Sequence, residues 1–514
     1  MNGADSLIQT LIGGGVEVCF ANPGTSEMHL VAALDKRPEI RCVLGLFEGV
    51  VTAAADGYAR MTGKPACTLL HLGPGFGNGL ANLHNAWRAH SPIVNLIGQH
   101  AISHLAKDTP LNSDIEAIAR PYAHWLRTAQ SVSEAGCDAA GAVVASRTPP
   151  GQIATLIVPA NVAWEAGGHI AAIPAIPIAP IPAPENIERA AKMLKSGLRT
   201  AILLSENALY GRGLEAAGRI AAASNAKLLV PYPFARLERG AGRPVVDRVP
   251  YVPQQAVELL KEFRQLILVG AAEPLAYFAA PGKTAVLTRS DCEIHTLAKP
   301  EENCADALEA LLSSCNLPQS SGLLEEPLRP TPPTGKITLD GLASSIAARL
   351  PEDAIVVDES MTSGRGIMSA ARGAPPHDWL GNTGGSIGIA LPLAVGAAVA
   401  CTSRPVLCLS ADGSGMYTLQ ALWTMAREGL NITTVIFANR AYEVLKREFA
   451  SLGIGEPGAT ASSLFGIGRP DLDWVSLAKG MGVPGTRVDS LDAFNKALKQ
   501  GFEAGGPTLI EVPI

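Results

Sequence analysis

PVLCLSADGSGMYTLQALWTMAREGLNITTVIFANRAYEVL, residues 405–445, holds two short apolar runs, each ending in polar residues, with a helix-length segment between them. The runs VLCLS and TTVIFA are too short for helices and do not alternate with polar residues, the mark of strands buried on both faces. A strand–helix–strand unit closes with a right-handed crossover, so its two strands lie parallel and their carboxyl ends share one edge. Asp412 and Asn439 stand 27 residues apart in the chain yet meet at that edge. A carboxylate, an amide oxygen and a nearby main-chain carbonyl make a hard oxygen set. Mg²⁺ takes such a set when phosphate oxygens complete its octahedron. Gly413 permits a tight turn, and Ser414 with the following helix N-terminus offers donors to a diphosphate. Asp-Gly-Ser alone is equally an N-capping turn of any α/β protein.

The same alternation runs outward through the chain. VEVCFAN, RCVLGLF and ACTLLHL read as strands in the first third, TAILLS, AKLLVPY and QLILVGA in the middle, and AIVVDES before the quoted stretch. Helical patterns separate them. Two proline-rich stretches, Ala171–Asn186 and Asn316–Lys336, read as extended linkers. The expected organisation is therefore α/β, with three doubly wound parallel-sheet domains. They are an N-terminal domain over 1–170, a central one over 187–315 and a C-terminal one over 337–514. Ligands of such sheets bind beyond the carboxyl ends of the strands.

Composition narrows the function. An apolar share of 47% and a charged share of 17% describe an ordinary folded protein. A net charge of −6 without a basic block argues against nucleic acid as a partner. The nine cysteines show no CxxC spacing and read as reduced core thiols. The start, MNGADSLIQTLIGGG, shows no signal-peptide pattern, and IALPLAVGAAVACT reads as a buried helix, so a cytoplasmic, non-membrane protein is expected.

The residue 405–445 segment resembles the thiamine-diphosphate motif of the pyruvate decarboxylase and acetohydroxyacid synthase superfamily, which runs from Gly-Asp-Gly to Asn-Asn at this spacing. Ala411 and Ala438 depart from it without removing a ligand side chain. The resemblance implies thiamine diphosphate and Mg²⁺ as cofactors, with Asp412, Asn439 and the Ala441 carbonyl on the metal. It places Gly413, Ser414 and Tyr442 at the diphosphate. FEGVVTAAADGYARMTGKPA is similar to the family's N-terminal cofactor segment, whose Glu, here Glu48, hydrogen-bonds the aminopyrimidine. A carboxylate there stabilises the imino tautomer that removes the weakly acidic C2 proton. GNTGGSIGIALPLAVGAA resembles the loop and helix beneath the thiazolium, with Gly385 in the loop and Ile387 as the wedge that bends the cofactor. Ser360 and Thr362, in DESMTSGRG, are candidate diphosphate contacts.

HLGPGFGNG, residues 71–79, reads as a loop between strand and helix. Its glycines also fit a dinucleotide fingerprint, but the next strand ends in Gln99 and His100 rather than an acid. The stretches LLHLGPGFGNGLANLHNAWRAHSPIV and FANPGTSE look like benzoylformate decarboxylase. This puts His71 forward as acid/base, against the plainer reading of a core histidine, and Asn22, Pro23 and Gly24 at the cofactor. The decarboxylase's second His has no counterpart in GAAEPLAYFAAPGK, where Tyr277 or Phe278 falls nearest. No flavin signature is evident in 187–315, so FAD is not expected.

The chain thus looks like a shorter acetolactate synthase large-subunit homologue with a benzoylformate-decarboxylase-like active-site loop. The implied reaction is decarboxylation of a 2-oxo acid followed by carboligation. Simple decarboxylation to an aldehyde and 2-hydroxyacyl-CoA lysis are alternatives. An oxidoreductase or a non-catalytic homologue represents other classes. The family's site lies between subunits, which implies a homodimer or homotetramer.

Overall fold

Runs of Val, Ile, Leu and Ala form nearly every strand, and most of these strands are buried throughout. This is what a parallel sheet covered by helices on both faces requires. The computed structural model describes residues 1–279, 281–282, 284–315 and 322–514. Residues 316–321 of the second expected linker, and Ala280 and Lys283 of GAAEPLAYFAAPGK, lie outside the described residues.

The first sheet holds β1 (Val18–Asn22), β2 (Arg41–Leu44), β3 (Ala66–Leu70), β4 (Ile93–Gln99), β5 (Trp125–Thr128) and β6 (Ile153–Pro159), in the order β2-β1-β3-β4-β6-β5. All its pairings are parallel. The middle of the chain supplies β7 (Thr200–Leu204), β8 (Lys227–Val230), β9 (Arg236–Arg239), β10 (Asp247–Arg248), β11 (Gln265–Val269) and β12 (Glu293–Ala298). Five of these make a second parallel sheet, β10-β8-β7-β11-β12. The last part supplies β13 (Ile355–Glu359), β14 (His377–Gly381), β15 (Val406–Ala411), β16 (Ile432–Ala438), β17 (Gly485–Arg487) and β18 (Thr508–Pro513). The third sheet is ordered β17-β18-β16-β15-β13-β14-β9.

The three-sheet α/β architecture agrees with the expectation, with one departure from an all-parallel reading. β9 leaves the middle of the chain and joins the third sheet as an antiparallel edge beside β14. A sequence reading assigns a strand to its neighbours in the chain. Here Arg236, on β9, pairs with Asp378 at 2.7 Å and stacks over Tyr210 at 4.7 Å, which fastens this edge across two units.

A second departure concerns HLGPGFGNG. From Leu72 it is already the opening of the helix Leu72–Arg88, not a loop. Pro74 falls in the first turn, where a helix needs no amide donor, so the glycine and proline content does not prevent the helix.

The helix Ala390–Ala400 is buried on every side from Ala390 to Val399, which explains its uniformly apolar sequence. It packs on the helix Glu48–Thr62 through two glycines. A Cβ on Gly396 would stand 1.9 Å from the Ala54 carbonyl oxygen, and one on Gly57 would stand 2.2 Å from that of Leu393. Backbones therefore touch where side chains usually intervene. The apolar core around Val51, Ala54, Leu83, Leu393 and Ile436 is shared by the first and third sheets. Among the described residues no helix is long and apolar enough to cross a membrane.

Candidate functional site

Asp412 follows β15 directly and Asn439 follows β16, and these strands are adjacent and parallel. The crossover thus brings the two residues to one edge. Asp412 is buried, and burial raises its carboxyl above the usual range, opposed by amide donors. Its oxygens accept from Gly413 N at 2.9 Å and Arg440 N at 2.7 Å. The Asn439 side-chain oxygen accepts from Ala441 N at 3.1 Å, which orients the amide beside the turn. The Tyr442 ring covers Gly413 so closely that a Cβ there would stand 2.6 Å from it. Ser414 is buried in the same short turn, Asp412–Gly415.

Among the described residues no three His, Cys, Asp or Glu side chains gather as a metal site. A buried carboxylate with amide and carbonyl oxygens beside it fits a hard cation sharing its shell with phosphate, and does not fit a thiolate or imidazole metal.

The third-sheet loop Asn382–Gly388 carries Gly385 and Ile387. Gly385 and Gly388 have φ of 78° and 90°, a conformation that favours glycine. The loop is pinned by Glu359, at the end of β13, which sequence reasoning passed over. Its oxygens accept from Asn382 Nδ2 at 3.2 Å, Gly388 N at 3.0 Å and Ala390 N at 3.1 Å. Burial pushes its carboxyl up to about 7, although these donors favour the anion. Ser360 and Thr362 are buried next to it. The Ser360 hydroxyl donates to Asp358 at 2.5 Å, which leaves its lone pairs rather than its proton for another partner.

In the first sheet, Glu48 opens its helix and is only 6% exposed. It accepts from Asn78 Nδ2 at 3.0 Å. A Cβ on Gly75 would stand 2.7 Å from the other oxygen, so glycine there keeps space at the carboxylate. Such a buried acid with one oxygen left beside a glycine suits a nitrogen base carried by a ligand.

His71 follows β3 and stands at the N-cap position of the helix Leu72–Arg88, with its side chain free of any capping bond. Its Nδ1 lies 2.8 Å from Glu27 Oε2. A carboxylate oxygen only accepts, so Nδ1 carries a proton and Nε2 is the nitrogen left for chemistry. Glu27 is fully buried. It also accepts from Gly24 N at 2.8 Å and from the Ser26 hydroxyl at 2.7 Å. Gly24 lies under the imidazole, where a Cβ would be 2.2 Å from Nδ1, and Gly98 backs the carboxylate, where a Cβ would be 1.7 Å from Oε1. Asn22 and Pro23 lead from β1 into this turn. Glu27 was also missed from sequence, although it closes the quoted FANPGTSE. Gly24 and Ser26 are local, but the imidazole it holds is 44 residues away and the glycine that makes room for it is 71 away.

Residues 1–118 match the model described as thiamine pyrophosphate enzyme, N-terminal TPP binding domain, and residues 364–512 match its C-terminal TPP binding domain. A Mycobacterium tuberculosis protein provisionally named acetolactate synthase large subunit IlvX is 49% identical, covering 100% of this chain and 99% of that one. Benzoylformate decarboxylase of Pseudomonas aeruginosa is 29% identical, over 97% of this chain and 96% of its own. The solved thiamine diphosphate-dependent 4-hydroxybenzoylformate decarboxylase of Rhodococcus jostii superposes with a TM-score of 0.85 at 24% identity, covering 100% and 99% of the two chains.

Proposed function

We propose, from the premise that this chain belongs to the thiamine pyrophosphate enzyme family and is a lyase or transferase of the acetolactate synthase and benzoylformate decarboxylase type, that it decarboxylates a 2-oxo acid. The observation that carries this reading is the Glu27–His71 pair, a held imidazole on the same sheet edge as Glu48.

Asp412, Asn439 and the Ala441 carbonyl would hold Mg²⁺, with Gly413, Ser414, Tyr442 and Thr362 around the diphosphate, and Ser360 joining them if its hydroxyl turns away from Asp358. Glu48 would hold the pyrimidine ring, with Gly385 and Ile387 beneath the cofactor and Asn22, Pro23 and Gly24 beside it. When bound, thiamine diphosphate supplies an electron sink next to the substrate carbonyl. Loss of carbon dioxide leaves an electron pair on the former carbonyl carbon, and a proton must arrive there to release an aldehyde. His71 Nε2 first takes up a proton from solvent and then delivers it, while Glu27 accepts from Nδ1–H and keeps the ring from turning. The division at 171–186 and 316–336, a site completed between two subunits of a homodimer or homotetramer, and a cytoplasmic location belong to the same reading.

A second reading is carboligation, in which a second carbonyl takes the place of the proton. It is supported by the name of the 49% identical relative and by Tyr277, rather than a second histidine, beside Gly385. The test is a panel of aliphatic and aromatic 2-oxo acids with thiamine diphosphate and Mg²⁺, with and without an aldehyde acceptor. Carbon dioxide with aldehyde is expected, and a coupled hydroxyketone instead establishes carboligation. Neither carbon dioxide nor coupling across the panel refutes both.

A further inference from the structure

Four aromatic rings from the middle of the chain gather beside the Gly385 loop. Tyr232 lies 5.3 Å from Tyr251 and 6.1 Å from Tyr277 between ring centroids. Tyr251 lies 5.6 Å from Tyr277, and Phe278 extends the group at 6.0 Å from Tyr277. Tyr277 reaches the candidate cofactor loop itself, where a Cβ on Gly385 would touch its ring at 3.5 Å. A contiguous group of exposed aromatics, unlike single ones, marks a binding groove, and Tyr277 and Phe278 are 38% and 69% exposed.

Two guanidinium groups border these rings. Arg248 lies 5.4 Å from the Tyr232 centroid and Arg365 lies 6.0 Å from that of Tyr251. Arg236 and Arg404 are held by Asp378, and Arg372 by Asp247 and Glu325, whereas Arg88, which faces Tyr277, is outside any ion pair among the described residues. Among the described residues Arg248 and Arg365 pair with no carboxylate. Glu448, on the helix Glu443–Ser451, accepts from the Tyr251 hydroxyl and attracts Arg365 from outside ion-pair distance, while Asp358 accepts from Ser360. Burial and then the repulsion of Arg447 disfavour the ionised form of Arg365, partly offset by Tyr232, Tyr251 and Glu448. Two cations over aromatic faces, neither held in an ion pair, make a site for an anion carried on a flat or apolar stem. Burial holds the Tyr251 and Tyr277 phenols up to about 12, so their hydroxyls remain proton donors.

We propose that Tyr232, Tyr251 and Tyr277 with Arg248 and Arg365 form the far end of the substrate site and select 2-oxo acids that carry a second carboxylate at the distal end. This rests on the reading of the Gly385 loop as the cofactor loop. The experiment compares two matched pairs on the enzyme loaded with thiamine diphosphate and Mg²⁺: benzoylformate against 4-carboxybenzoylformate, and 2-oxopentanoate against 2-oxoglutarate. In at least one pair kcat/KM should favour the carboxylate-bearing member by about tenfold or more. Arg248→Gln and Arg365→Gln should each move that ratio toward one. Terephthalate should perturb tyrosine fluorescence at lower concentration than benzoate. Equal or inverted preference in both pairs, measured on the unmodified protein, overturns the distal site and leaves the decarboxylase standing. A ratio unchanged in both variants overturns it as well. No turnover of any of the four acids overturns the distal site, and the wider panel of 2-oxo acids then decides the decarboxylase.

Discussion

Glu48 and Glu27 are both buried acids, yet their surroundings give them different work. Glu48 has one amide donor from its own chain, with an open glycine face opposite its other oxygen. Glu48→Gln keeps the size and the acceptor for Asn78 while removing the charge. Turnover should fall about 10²–10⁴-fold with an unchanged circular dichroism spectrum and melting temperature. A rate near that of the unmodified protein removes Glu48 from the mechanism. Glu27 is filled by Gly24, Ser26 and His71 and has no face left for a substrate. It is a positioning residue that acts through the imidazole. Glu27→Gln should therefore lower kcat about ten- to hundredfold while KM stays within about twofold. Equal losses in both would mean general damage to the pocket. Steady-state kinetics on a 2-oxo acid that the enzyme accepts separates the two outcomes.

Between elements, contact is closest where the helices Glu48–Thr62 and Ala390–Ala400 cross. A methyl on Gly396 has no room at 1.9 Å from a carbonyl oxygen, so the helices must move apart. Gly396→Ala should destabilise by about 1–3 kcal/mol, seen as a lower melting temperature. Gly13→Ala should not, because nothing lies within 4 Å of a Cβ there. Glu359 makes a second element-scale contact, between β13 and the loop before the Ala390 helix. Its folded value of about 7 lies above the ordinary 4.5, so the folded protein holds this proton where the unfolded chain has released it. The stability it contributes is full below about pH 4.5 and is lost as pH rises through 7, a swing of about 3 kcal/mol. His377, buried neutral with its value pushed down to about 4, works the opposite way, losing stability as pH falls below 6.5. The comparison must therefore be with Glu359→Gln. The melting temperature of the unmodified protein minus that of the variant should decrease between pH 5 and 7.5, and a flat difference would show that Glu359 does not titrate there. These elements also show what the sequence could convey. Asp412 and Asn439 were legible because strand ends and a crossover fix them locally. Glu27 and Glu359 were not, because one takes its meaning from a ring 44 residues on and the other from amides about 30 residues on. The HLGPGFGNG helix was hidden because glycine and proline suit a first turn as well as a loop. β9 was hidden because nothing within four residues records which sheet they join.

Across the whole molecule, the three sheets are fastened by buried polar contacts as well as by apolar cores. Arg60, in the first unit, pairs with Asp56 and donates to the Gly381 carbonyl at 2.6 Å and to Thr383 at 3.0 Å, at the root of the Gly385 loop. The Thr383 hydroxyl donates to the Asn85 carbonyl at 2.6 Å. These contacts fix the first and third units of one chain against each other along a single face. That arrangement leaves the carboxyl edges bearing Glu48 and Asp412 to be completed by a second copy, if the cofactor is shared between subunits. The two cases differ in a mixing experiment. Glu48→Gln disables the pyrimidine side of a site, and Asp412→Ala disables its Mg²⁺ side, so each variant alone should be inactive. Random pairing of the two chains makes half of all dimers hybrid. In a hybrid one site receives both defects and the other receives none, so about a quarter of normal activity should return. If Glu48 and Asp412 of one chain serve the same site, every site in the mixture keeps a defect and no activity returns. Co-expression with two affinity tags, followed by assay of the doubly tagged fraction, isolates the hybrid and decides between the two arrangements.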